Sequence, residues 1–148
     1  VSIGVLTIVL TVGGVAMARL WTVTGQMRRG ADELQSVLAA GERWREDIRS
    51  ASGAILTETA NGIAVIRIPS KDHHEVQWAS LAGTVVRREH PDAPWTTVCR
   101  RIRGSAVQME RRGAVTVWRW DLELEPMTKR SRFVRAFTFL AVPSHPRL

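Results

Sequence analysis

An uncharged run from Val1 to Ala18 opens this chain, and Arg19 is its first charge. At about 1.5 Å per residue, twenty helical residues span roughly 30 Å, the depth of a bilayer's hydrocarbon core. A buried core helix rarely goes so far without a charge. A secretory signal needs a basic start and a shorter apolar stretch. Gly13-Gly14 would let a second helix approach closely. The run therefore predicts a transmembrane helix over 1–21. Ile3, Val5, Leu6, Ile8, Val9, Leu10, Val12, Val15 and Leu20 would form its apolar surface.

No proline interrupts Val1 to Ser52, so one long helix is expected there. Its second half, 22–52, is amphipathic. Leu34, Val37, Gly41, Trp44, Ile48, Ala51 and Ile55 recur at steps of three and four, the spacing of one apolar helix face. Asp32, Glu33, Glu42, Arg43, Arg45, Glu46, Asp47 and Arg49 read as the solvated face between them. Leu34, Val37, Leu38, Trp44 and Ile48 are the residues expected to pack this helix onto a sheet. Gly30 and Gly41 read as weak points, each costing up to about 1 kcal/mol of helix propensity.

At Ser52-Gly53 the period changes to two. Strands are predicted over 54–59 and 63–68 around an Asn61-Gly62 turn, and over 75–80 and 84–88 around 81–83. Residues 98–102 read as strand or helical turn. Residues 107–110 precede a turn at Arg112-Gly113. From Val115 to Leu124, charge alternates with Trp118, Trp120, Leu122 and Leu124, the mark of a half-buried antiparallel strand. Residues 126–132 form a basic loop, and 133–142 a last strand. The expected class is α+β, a long N-terminal helix packed on a C-terminal antiparallel sheet. Its parts are the apolar helix 1–21, the amphipathic helix 22–52, a β-rich head 53–143 and a disordered tail 144–148.

The formal charge of +7 is carried almost wholly by arginine, dispersed in doublets with no basic block. Nucleic-acid binding would need Arg87, Arg88, Arg100, Arg101 and Arg103 gathered beside Trp95, and alternation on strands works against that. Cys99 stands alone, so no internal disulfide forms. His73, His74, His90 and His145 fall in loops without the spacing of metal ligands. Neighbours Glu46 and Asp47 point about 100° apart on a helix and do not converge as acid and base. No catalytic group, metal or cofactor is predicted.

The phrase Trp44-Arg45-Glu46-Asp47-Ile48-Arg49-Ser50-Ala51, the hairpin from Val76-Gln77-Trp78 through Gly83 to Arg87-Arg88, and the closing Arg135-Ala136-Phe137 resemble the type IV pilin and type II secretion pseudopilin superfamily, its minor pseudopilins above all. The resemblance implies a non-enzymatic subunit of a secretion or pilus-like filament. It implies a single-pass bacterial inner-membrane location with a periplasmic head. It also implies other pseudopilins or minor pilins and secretion-system assembly proteins as partners. The family's peptidase site, a glycine followed by phenylalanine and a glutamate, is absent here and would lie ahead of Val1, as would the basic leader. Other readings are a DNA-uptake or adhesion minor pilin with a basic head, and a membrane-anchored enzyme.

Overall fold

The computed structural model describes residues 2–72 and 74–144, with side chains described at 24, 25, 27–72 and 74–144. Helix α1 (Ser2–Arg49) is followed by eight strands: β1 (Leu56–Ala60), β2 (Ile63–Pro69), β3 (Glu75–Leu81), β4 (Thr84–Arg88), β5 (Thr96–Cys99), β6 (Ile102–Arg112), β7 (Val115–Leu124) and β8 (Arg135–Ala141). The chain divides into two compact units, residues 1–35 and 36–148. The first is helical.

In the second unit every pair of strands adjacent in sequence is antiparallel except β5 and β6, which are not paired, and short turns make such pairing possible. β1 to β5 form one meander and β6 to β8 another. Two of the turns carry pairs of positive φ, Asn61-Gly62 and Ala82-Gly83. That left-handed pair is the twist a two-residue hairpin requires. Between the sheets, Arg101 adopts φ 57° and the backbone breaks from β5 to β6. The Ile102 amide then donates to the Gly83 carbonyl at 2.9 Å, tying the second sheet to the first.

One core joins both sheets and the last turns of α1. Val37, Ala40, Trp44, Ile48 and Ala51 meet Ile66, Ile68, Trp78 and Val85 of the first sheet and Trp118, Trp120, Leu122, Leu124 and Phe139 of the second. Trp120 sits at the centre, with ring centroids 5.6 Å from Trp44, 5.7 Å from Trp78 and 5.5 Å from Phe139. Two backbone bonds pin the helix end: Ser52 N–H to the Pro69 carbonyl at 2.8 Å, and Ser144 N–H to the Arg49 carbonyl at 3.1 Å.

Three expectations need correction. A long helix packed on a single sheet is not found. The helical stretch with described side chains, Met27 to Arg49, is short, it is buried only from Val37 on, and the strands form two sheets. Leu34 and Leu38 do not anchor it, being 40% and 48% exposed. Leu34 precedes the first buried turn, which begins at Val37, and Leu38 falls off the stripe of Val37, Ala40, Trp44 and Ile48 that the 3.6-residue turn selects.

The single-pass inner-membrane location is also overturned: among the described residues no helix is long and apolar enough to cross a membrane. The described stretch carries Arg28, Arg29, Asp32 and Glu33 within two turns, and charges at that density are costly in hydrocarbon. The apolar-surface residues Ile3, Val5, Leu6, Ile8, Val9, Leu10, Val12, Val15 and Leu20 lie outside the residues whose side chains are described.

Candidate functional site

The buried stripe of α1 contains one charged residue, Asp47. It follows Trp44 by three positions and precedes Ala51 by four, so helical geometry turns it inward with them. Grouping it with the solvated face was therefore mistaken. The step of three from Trp44 was the signal that placed it inside.

Its partners come from the β3–β4 hairpin. Trp78 and Arg87 are directly opposed in register there, which brings their side chains within a few ångströms on one face. Trp78 Nε1–H donates to Asp47 Oδ2 at 2.8 Å. Arg87 donates Nε–H to Oδ2 at 2.8 Å and Nη2–H to Oδ1 at 3.1 Å, a two-pronged grip. Both ion-pair side chains are nearly buried, with 11% and 12% of their surface exposed. The bond to Asp47 raises the Arg87 pKa above its ordinary value. The guanidinium also lies 5.9 Å from the Trp78 ring centroid, within cation–π range.

Beside this triad opens a polar cleft of about 270 Å³, walled by Ser50, Pro69, Ser70, Asp72, His74 and Glu89 among others. The cleft does not gather a reactive set. Asp47 accepts from both Trp78 and Arg87, Arg87 also lies 3.6 Å from Glu89, and His74 is exposed with its ring 6.0 Å from that of His90. Among the described residues no group of three His, Cys, Asp or Glu side chains is placed to hold a metal ion. His73 and His145 lie outside the described residues. Burial pushes the Cys99 thiol up to about 11, so it stays protonated near neutrality and is a poor nucleophile. Glu46 is exposed.

The structure also disperses the arginines considered for nucleic acid. Arg87 is held by Asp47. Arg88 donates to Gln77 and lies 4.3 Å from the Trp95 ring centroid. Arg101 is 3.8 Å from Glu125 and Arg103 is 3.5 Å from Glu123. Arg100 is exposed. Of the helix-packing residues, Val37, Trp44 and Ile48 are buried and Leu34 and Leu38 are not. Phe139 and Gly41 were missed as a pair: the Phe139 ring occupies the space a side chain at Gly41 would need. The interior is thus built for docking a helix on two sheets.

Comparison with protein-family models, curated proteins and solved structures yields no match to this chain.

Proposed function

We propose that the chain is a minor pseudopilin-like subunit of a type II secretion or pilus-like filament, acting by assembly and not by catalysis. One observation carries the reading. The two segments on which the resemblance rests most, Trp44 to Ala51 and Val76 to Arg88, lie apart in sequence yet meet through Asp47, Trp78 and Arg87. A buried pair of this kind is weak support for stability, but it sets the register of what it joins. Here it fixes where the helix end sits on the first sheet, which a subunit presenting a defined face to its neighbours requires.

Its partners in this reading are other pseudopilins or minor pilins and the proteins that assemble them. The test is the coding sequence in frame ahead of Val1. A basic leader ending in glycine, then phenylalanine and a glutamate five residues after the cut, is the expected result. An in-frame stop directly upstream overturns the proposal.

A further inference from the structure

The basic loop between β7 and β8 does not match its sequence reading at one end. Phe133 and Val134 were assigned to the last strand, yet β8 begins at Arg135. Both stand outside it, Phe133 85% and Val134 55% exposed, with Met127 at 38% on the other side of the loop. Phe133 is the most exposed large hydrophobic side chain among the described residues. Such a group on a surface calls for a contact, because isolated exposed apolar residues are ordinary but a cluster is not.

The loop is also held in shape. Ser131 N–H donates to the Thr128 carbonyl at 3.1 Å, closing a turn with Lys129 and Arg130 at its corner. Arg101 Nη2–H donates to the Pro126 carbonyl at 3.2 Å, and Arg135 Nη2–H to the Glu125 carbonyl at 2.8 Å, bracing the stem from both sides. Lys129, Arg130 and Arg132 are all exposed. After Glu125 the sequence contains no acidic residue. The result is a braced turn with three cations at its tip and three apolar side chains at its shoulders.

We infer that this loop, residues 126–134, docks on an anionic phospholipid surface. Lys129, Arg130 and Arg132 meet the headgroup phosphates, and Phe133 and Val134 enter the boundary beneath them. Cations are drawn to the negative potential of such a surface, and apolar side chains add burial once they reach the acyl boundary. A nucleic acid would use the same cations but would want flat rings on which bases stack. Phe133 is the one aromatic ring in the loop, and Val134 and Met127 offer none, so lipid is the better fit. The inference is independent of the filament reading.

The test is flotation of the full chain with vesicles of phosphatidylcholine alone and of phosphatidylcholine with phosphatidylglycerol, at about 0.1 M salt, where charges beyond roughly 10 Å are screened. Both vesicles offer the same hydrocarbon to the apolar opening residues, so the difference between them reads charge. K129E/R130E should lose anionic-vesicle binding at least tenfold. K71E/R111E, the same charge change elsewhere, should leave it unchanged. F133S should weaken it several-fold, a loss that higher salt does not mimic. Equal binding of K129E/R130E and the parent chain overturns the inference, as does an F133S variant that binds like the parent. So does a parent chain that ignores anionic vesicles but binds duplex DNA through Lys129 and Arg130.

Discussion

Two residues carry more than their types suggest. Gly41 reads as a helix weakness, yet a Cβ there would overlap the Phe139 ring, which is buried against α1. Gly41→Ala gains up to about 1 kcal/mol of helix propensity. It must also displace a packed ring, at a cost of about 1–3 kcal/mol. The variant should be net less stable by urea denaturation, and Phe139→Leu should cost less in the Gly41→Ala background than in the parent. Additivity of the two would mean the ring does not press on the glycine. Asp47 is the second case. Asp47→Ala leaves the Arg87 guanidinium without its main partner in a nearly buried site, a loss of up to about 3–5 kcal/mol. Asp47→Leu/Arg87→Leu, which removes both charges, should lose distinctly less. If the single and double variants unfold alike, the pair is not coupled. From sequence, Asp47 was one acid among many on a charged helix. Its inward position was legible in the spacing, but its partners lie on a hairpin that no helix pattern reports.

Among the elements, the clearest signals were those where one local rule decided the outcome. From Trp118 to Leu124, β7 follows the two-residue alternation, and Asn61-Gly62 and Gly113 supply the positive φ their turns need. The short β5 and the break at Arg101 were obscure because Arg101, a residue that rarely takes positive φ, does so here. That break divides the strands into two sheets, so the single-sheet expectation failed at this point. The exposed strand faces are tied by ion pairs with a shared pH signature. Arg67 holds Glu75 below the usual carboxylate range, and Arg112 does the same for Glu110. Thr138, donating its hydroxyl at 2.6 Å, and then Arg119 hold Asp121 low. A carboxylate whose folded pKa is depressed adds stability that is present above its unfolded value and is lost as pH falls through the folded one. The melting midpoint should therefore hold steady from about pH 7 to 5 and drop below about pH 4, where unfolded carboxylates begin to bind protons first. Thr138→Val should flatten the part of that drop owed to Asp121. A midpoint indifferent to acid would mean that these pairs contribute nothing.

At the scale of the whole molecule, every core residue among the described ones lies between Val37 and Ala141, inside the unit that begins at residue 36. The helical turns from residue 36 to Arg49 would be marginal in water alone, since they fall in the range of about 12–15 residues below which isolated helices are not stable. They stay helical here because Trp44 and Ile48 are fully buried. Removing Trp44 should cost about 3–5 kcal/mol, the usual range for deleting a large aromatic from a packed interior. It follows that a chain of residues 36–148 should fold by itself, with the β-rich circular dichroism of the full chain and a cooperative thermal transition. Trp44→Ala in that fragment should lower the midpoint by several degrees at least. An unfolded 36–148 fragment would show that residues 1–35 supply stability to the core. A fragment that folds but ignores Trp44→Ala would show instead that Trp44 is not what holds the helix on the sheets, leaving that role to Val37, Ile48 and the Asp47–Arg87 pair.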